Sequence, residues 1–164
     1  MRTSRIKFAF AAIAVTVALA GNGFAEEKGW LEDFSQAAAV AKKENKPMLV
    51  DFTSSDSCPA CIMMKKAVFD APVFQKYATD NLVLLKVDFP QREGNMLPPE
   101  QMRQNEALAE KFGIVDENGI LNFPTLVVVT PAGQIVAMQK GAFTDPSEFI
   151  SWTQDALKKS RSAG

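Results

Sequence analysis

The sequence predicts a single α/β domain in which a mixed central β-sheet is flanked by helices on both faces. Two apolar segments, residues 48–53 and 82–88, have the length and composition of buried strands, and helical segments separate them. Strands joined by helical crossovers run parallel to each other. Residues 125–130 and 134–138 flank the turn Pro131-Ala132-Gly133, which predicts an antiparallel hairpin. The sheet is therefore expected to contain both kinds of strand pairing.

Five helices accompany these strands in the prediction. Apolar residues at helical spacing indicate a first helix over residues 31–43, which Asn45-Lys46-Pro47 ends. A second helix is expected to begin at Cys58, after turn-forming residues, and to run to Phe69. The remaining helices are predicted over residues 72–77, 100–112 and 146–159, with loops over 89–99 and 116–122.

Composition narrows the possible functions. The 164 residues include 18 Lys and Arg against 19 Asp and Glu, a balance that favours neither nucleic acid nor an anionic membrane as the main partner. Two cysteines and no histidine are too few ligands for a zinc site, which needs about four. The missing histidine also removes the general base of Cys-His and Ser-His catalysis. Cysteine redox chemistry without a metal or organic cofactor remains, in a chain expected to be monomeric.

The first 25 residues are typical of a secretory signal peptide. Arg2, Arg5 and Lys7 precede an apolar run over residues 8–20, which is well short of the roughly 20 residues that a spanning helix needs. Small residues lead up to Ala25, where cleavage is expected. The sequence thus predicts a signal peptide over residues 1–25, a domain over 26–164 and a location in the periplasm or outside the cell. An uncleaved membrane anchor is the alternative.

The motif Cys58-Pro59-Ala60-Cys61 has the spacing that thiol–disulfide exchange requires. One exposed thiolate attacks a disulfide, and a second thiol nearby resolves the mixed disulfide. At a helix start, the first cysteine meets unpaired backbone N–H groups, whereas the second lies one turn further in. Cys58 is therefore the predicted nucleophile and Cys61 the predicted resolving thiol. The alternative is a disulfide that only stabilises the fold, although so small a ring contributes only about 2 kcal/mol to the free energy of unfolding.

Electrostatics at a helix end do not by themselves activate such a thiol. Lowering a thiol pKa from about 8.5 to about 6.5 requires roughly 2.7 kcal/mol, and a helix terminus contributes about 0.3–1 kcal/mol, up to roughly 2. Hydrogen bonds to the Cys58 sulfur are expected to contribute the remainder. Pro59 has no N–H to donate, but Ala60 and Cys61 do.

The stretch KPMLVDFTSSDSCPACIMMKKAVFDAPVFQKYATDNLVLLKVDF, with Phe123-Pro124-Thr125 and Lys140-Gly141-Ala142 further on, resembles exported thioredoxin-like proteins. These include the thioredoxin-like domain of the DsbD family. The resemblance covers residues 30–159 and implies the thioredoxin-like fold and a thiol:disulfide oxidoreductase activity. The implied partners are exported protein thiols and disulfides, and an unidentified redox protein that resets the site.

The resemblance also implies roles for residues outside the motif. Asp51 corresponds to a buried acid that helps to deprotonate Cys61, and Lys86 to its charge partner; the alternative is that both lie in water at strand ends. Pro124 is expected in a cis peptide opposite the cysteines, although a trans proline that begins a strand is also compatible with the residues. The predicted substrate contacts are Phe123, Pro124, Pro59 and Ala60.

Two departures from the family bear on the choice of substrate. Ser57 stands where the family commonly has Trp, and both the turn after Asp51 and the loop over residues 116–122 are longer. These departures motivate the alternative of a non-catalytic partner-binding module.

The residues leave the direction of electron flow open: Pro59 inside the motif resembles oxidising relatives, whereas Asp51, Lys86 and the DsbD-like flank resemble reducing ones. A reductase or isomerase is the preferred prediction, and an oxidase is the alternative. The Met63-Met64 pair and the phenylalanines at 52, 69, 74 and 112 are assigned to the core rather than to a copper or cofactor site.

Overall fold

The computed structural model describes residues 29–162, which form the predicted α/β architecture. The predicted signal peptide lies outside the described residues. The elements in chain order are β1 (Trp30–Leu31), α1 (Phe34–Glu44), β2 (Met48–Thr53), α2 (Pro59–Met64), a π-helical turn (Lys65–Phe69), α3 (Pro72–Asn81), β3 (Val83–Asp88), a 3₁₀ turn (Glu93–Asn95), α4 (Pro99–Lys111), β4 (Thr125–Val129), β5 (Ile135–Lys140) and α5 (Pro146–Ser162). Within residues 29–162, no helix is both long and apolar enough to cross a membrane.

The sheet has five strands in the order β1-β3-β2-β4-β5. β3 runs parallel to both β1 and β2, whereas β4 runs antiparallel to β2 and β5. This is the mixed pairing that the helical crossover and the hairpin turn predict. β2 lies in the middle of the sheet, and all six of its residues are buried. The position of the C-terminal end of β2, from which the following turn begins, is therefore fixed by the core.

Alternation along the strands divides the core into two layers. Val50 and Phe52 of β2 face the layer that contains α1 and α4, where Phe112 packs against Phe52. Leu49 faces the opposite layer, together with Met64 of α2 and residues of α3 and α5. Because side chains on a strand point to opposite faces in turn, Asp51 shares its face with Leu49 and thus with α2.

The short strand β1 is the main difference from the predicted element order. Leu31 was expected in the first helix, but Trp30 and Leu31 pair with Leu84 and Leu85 of β3. The helix instead begins at Phe34, because the Asp33 side chain accepts the Gln36 N–H at 2.6 Å and caps it. A strand of two residues is too short to show a periodic pattern in the sequence.

The helix after the cysteines also differs from the prediction. It is α-helical only to Met64 and continues as a π-helical turn, in which the Asp70 N–H donates to the Lys65 carbonyl at 2.8 Å. The wider turn brings consecutive residues, Val68 and Phe69, into the core. π-Helical turns of this kind often occur near functional sites.

Phe149 of α5 is the centre of the aromatic cluster that packs this helix layer. Its ring centroid lies 5.3–6.0 Å from those of Phe69, Phe74, Phe143 and Trp152. Because the side chain is fully buried, Phe149→Ala is expected to lower the free energy of unfolding by about 3–5 kcal/mol. Urea unfolding followed by circular dichroism measures the change.

Val73→Ala is the matched control, since Val73 is 51% exposed on α3 in the same layer. It is expected to change the stability by at most about 0.5 kcal/mol. If the two variants lost similar amounts of stability, the aromatic cluster would not be the packing centre of this face.

Candidate active site

The turn between β2 and α2 places Cys58 at the start of the helix. The Cys58 N–H donates to the Ser54 carbonyl at 3.1 Å, and Cys58 is the N-cap residue of α2, with Pro59 at the first helical position. Proline suits that position because its missing N–H would have no partner within the helix. Cys58 and Cys61 form a disulfide, with their Cα atoms 5.3 Å apart. The motif therefore begins a helix, as predicted.

The two cysteines have different surroundings. Cys58 is half-buried, whereas Cys61 is only 3% exposed. The Cys61 N–H donates to the Cys58 sulfur at 3.1 Å, which is one of the two hydrogen bonds expected from the sequence. Between them, Pro59 is exposed and Ala60 is half-buried. An incoming disulfide can therefore reach the first sulfur more readily than the second.

Asp51, Lys86 and Cys61 line one cavity of about 240 Å³ beneath α2. Asp51 is 5% exposed and is the register partner of Lys86 on the neighbouring strand. Partners in a parallel pair point to the same face of the sheet, so both side chains face the helix that carries the cysteines. The alternative that Asp51 lies in water is wrong.

Lys86 forms an ion pair with Glu32, a residue that the sequence did not single out. Lys86 Nζ lies 3.0 Å from Glu32 Oε1, and the two side chains are 17% and 34% exposed. Glu32 directly follows β1, so the same short strand that escaped prediction also brings this carboxylate to the site. Lys65 and Asp70 also line the cavity, and Lys65 Nζ pairs with Asp70 Oδ1 at 2.6 Å.

The Phe123–Pro124 peptide bond is cis, which confirms that part of the prediction. Thr125, the next residue, is the register partner of Phe52, so Pro124 lies beside the end of β2 that leads to Cys58. The Gly141 N–H donates a hydrogen bond to the Pro124 carbonyl at 2.9 Å. The ring of Phe123 packs on that of Phe89, with 5.3 Å between centroids.

The turn that carries Cys58 is anchored by side chains that sequence reasoning missed. The Ser54 hydroxyl donates to the Phe89 carbonyl at 2.7 Å, and the Ser55 N–H donates to Asp88 Oδ1 at 2.9 Å. Both acceptors belong to the end of β3 and the residue after it. The only signal in the sequence was the turn-forming composition of residues 54–57, which predicts a turn but not what fastens it.

Asp56 joins the same turn to the loop that follows β3. Its carboxylate accepts the N–H groups of Gln91 and Arg92, both at 2.9 Å, and the side-chain amide of Asn95 at 3.0 Å. These hydrogen bonds, that of Gln91 above all, hold the pKa of Asp56 below its usual value of 3.8. The loop over residues 89–99 is thus connected to the residue two positions before Cys58.

Ser57 occupies the position where the family commonly has Trp. It is exposed, and its hydroxyl shares a hydrogen bond of 2.7 Å with Ser54. A shallow groove beside it is lined by Pro59, Met63 and Arg92 among others. The surface next to Cys58 is therefore open on this side.

Most of the residues assigned to the core lie there. Met64 and the four phenylalanines are buried; the latter are Phe52, Phe69, Phe74 and Phe112. Met63 is the exception and that part of the assignment is wrong, because its side chain is 39% exposed on the outer face of α2.

A mixed sheet, a CxxC disulfide at the start of a helix and a cis-proline at the neighbouring strand define a thioredoxin-like thiol:disulfide oxidoreductase. The model of a family described as thioredoxin-like domain matches residues 34–157. The chain belongs to this family.

Sequence similarity to individual proteins agrees with this family assignment. The chain is 29% identical over 127 residues to the disulfide bond reductase DsbH of Chlamydia pneumoniae, covering 77% of this chain and 72% of the relative. It is also 32% identical to anterior gradient protein 1 of Xenopus tropicalis, over 46% of this chain and 40% of that protein.

Solved structures match the fold. A DsbH oxidoreductase superposes with a TM-score of 0.66 at 28% identity, over 79% of this chain and 83% of that one. The C-terminal domain of Neisseria meningitidis DsbD in its oxidised form gives a TM-score of 0.53 at 21% identity, over 74% and 90% of the two chains, and shows the fold alone.

Replacing Asp56 with Ala is expected to destabilise the protein in a pH-dependent way. Because the pKa of Asp56 is lower in the folded chain than in the unfolded one, its contribution is complete above the unfolded value and is lost as the pH falls through the folded value. The difference in unfolding free energy between wild type and Asp56→Ala is therefore larger at about pH 7 than at about pH 2. Urea titrations at the two pH values measure it.

Asp155→Ala serves as the control, since Asp155 is an exposed acid on α5. As a substitution of an exposed side chain, it is expected to change the unfolding free energy by at most about 0.5 kcal/mol. An Asp56→Ala effect that was independent of pH would contradict the assigned role of the carboxylate.

Proposed function

We propose that this protein is exported and that it reduces or rearranges disulfides in exported proteins, with Cys58 as nucleophile and Cys61 as resolving thiol. The observation that carries the proposal is the asymmetry of the motif. Cys58 caps a helix with its sulfur accepting the Cys61 N–H, whereas Cys61 is buried and lines a cavity together with Asp51. A disulfide that only stapled the fold would need neither the accessible sulfur nor the acid beside the buried one.

The reaction proceeds in two exchanges. The Cys58 thiolate attacks one sulfur of the substrate disulfide, forms a mixed disulfide and releases the other substrate sulfur as a thiolate. Cys61 then loses its proton and attacks the Cys58 sulfur, which breaks the mixed disulfide and releases the second substrate thiolate. Two electrons pass from the cysteine pair to the substrate, and a reduced partner protein must return them.

Residues around the motif support each exchange. The Cys61 N–H donates to the Cys58 sulfur, and a hydrogen bond to a sulfur is stronger when that sulfur is charged. Asp51 takes the proton of Cys61 in the second exchange, with Lys86 favouring its charged form. Pro59, Ala60 and the Phe123–Pro124 segment form the contact surface for an extended substrate.

Reduction is favoured over oxidation by the relatives. One relative, matched over 77% of this chain, is named a disulfide bond reductase, and the resemblance to the DsbD domain points the same way. Reduction potential separates the two directions: a value near about −270 mV indicates a reductant, and one near about −120 mV an oxidant. Activity toward a scrambled-disulfide protein would separate isomerase from reductase.

Export is part of the proposal because of the N-terminal sequence. The charged start, the short apolar run and the small residues before Ala25 suit a cleaved signal peptide. Peptide sequencing of the mature N-terminus from a secreting host tests it, and an intact N-terminus in the membrane fraction would support the anchor instead.

Replacing either cysteine with Ser is expected to have different effects. Cys58→Ser removes the nucleophile, so the reduction of a model disulfide such as insulin falls to the uncatalysed rate. Cys61→Ser leaves the first exchange intact but blocks the second, so mixed disulfides accumulate on Cys58. Non-reducing electrophoresis and mass spectrometry detect these adducts and name the bound proteins.

The double variant Cys58→Ser/Cys61→Ser is the control for non-specific capture. Absence of adducts on Cys61→Ser, together with wild-type turnover no faster than that of free dithiothreitol, would overturn the enzyme assignment. A non-catalytic binding module on the same scaffold would then be the better account.

A further inference from the structure

The charged residues beneath α2 form a row across three neighbouring strands. Leu31 of β1 pairs with Leu85 of β3, and one residue further along, Lys86 pairs with Asp51 of β2. Glu32 follows Leu31, so it lies at the same level as Lys86 on the other side, and an ion pair of 3.0 Å joins the two. The order across the sheet is acid, base, acid, and the second acid shares a cavity with Cys61.

Glu32 is held in this row by its backbone. Its carbonyl oxygen accepts the side-chain amides of Gln101 at 2.8 Å and Gln104 at 3.0 Å, both from α4. The next residue, Asp33, caps α1. The Glu32 side chain therefore starts from a fixed backbone position at the level of Lys86.

We propose that Glu32 is a positioning residue of the resolving exchange: it holds the Lys86 ammonium and divides its charge between two acids, which keeps Asp51 basic enough to take the proton of Cys61. A lysine that served Asp51 alone would stabilise the carboxylate and weaken it as a proton acceptor. The inference rests on the proposed function, since it concerns the second exchange of that reaction.

The proton and electron balance of the step is complete within the site. The Cys61 proton moves to Asp51, the Cys61 sulfur forms a bond to the Cys58 sulfur, and the bond from Cys58 to the substrate breaks. The substrate leaves as a thiolate and takes a proton from Asp51 or from water. Glu32 and Lys86 exchange no proton and no electron in this sequence.

Other charged groups face the same cavity and also influence how the rate of the resolving exchange depends on pH. Lys65 and Lys66 lie on the helical wall, where Lys65 is paired with Asp70. Further along β3, Asp88 accepts hydrogen bonds from Ser55. These groups stay in place when Glu32 is changed, so a comparison of variants isolates the Glu32 charge.

We expect Glu32→Gln to change the pH profile of the resolving exchange: the pH range in which the rate falls on acidification moves to lower values. Glu32 lies two strand spacings, about 9.6 Å, from Asp51 and acts on it through Lys86. Without the Glu32 carboxylate, the Lys86 ammonium is left to Asp51 alone, which favours the charged form of Asp51 down to lower pH. The expected shift is about half a pH unit. Reduced full-length protein mixed with Ellman's reagent in a stopped-flow instrument gives two releases of coloured thiolate, and the second release reports the resolving exchange.

Glu44→Gln is the matched control. Glu44 forms an ion pair of the same length, 3.0 Å, with Lys46 at the end of α1, away from the cavity. Its pH profile is expected to coincide with that of wild type. Glu32→Asp, which keeps the charge, is expected to lie between wild type and Glu32→Gln.

A further comparison tests whether Glu32 acts through Lys86. In a Lys86→Gln background the same Glu32→Gln substitution is expected to shift this pH range by clearly less than in wild type. Coinciding profiles for wild type and Glu32→Gln, or an equal shift in both backgrounds, would overturn the inference. Failure of wild type to show the two releases would instead count against the proposed function, so the two failures are distinguishable.

Discussion

The site depends on the complete burial of β2 between β3 and β4. This strand pairs on both sides, and none of its six residues is exposed. A strand held in this way fixes where the chain leaves the core, and the following turn is fastened to the end of β3 through Ser54 and Ser55. Cys58 is therefore presented by a backbone with little freedom, as the proposed attack on a disulfide requires.

The same strand also supplies the buried charge. Alternation places Leu49 and Asp51 on one face, so the packing that buries the leucine on the α2 side also places Asp51 in the cavity that Cys61 lines. A buried carboxylate is costly unless its surroundings compensate for lost water. Lys86 provides the opposite charge on the neighbouring strand, and Asp51 lines one cavity with Cys61, where the proposed mechanism needs a proton acceptor.

The fold was largely predictable because its signals are local. The apolar strands, the hairpin turn and the CxxC motif at a helix start each occupy a short window, and their order along the chain implied the mixed sheet. Pro124 and Asp51 were found through the family resemblance rather than through composition. What escaped depends on long-range pairing: β1 is too short for periodicity, and Glu32 acquires its partner only once β1 lies beside β3. The links from Asp56 to the loop over residues 89–99 are invisible in sequence for the same reason.

The central claim is that the fold makes the two cysteines chemically unequal, and alkylation of the reduced protein tests it most directly. Iodoacetamide labelling across a pH series, with each cysteine followed by peptide mass spectrometry, is expected to modify Cys58 well before Cys61 and to do so already in mildly acidic solution. In urea, where the N-cap and the burial are lost, the two are expected to react alike. Equal labelling of both cysteines in the folded protein, or earlier labelling of Cys61, would contradict the account.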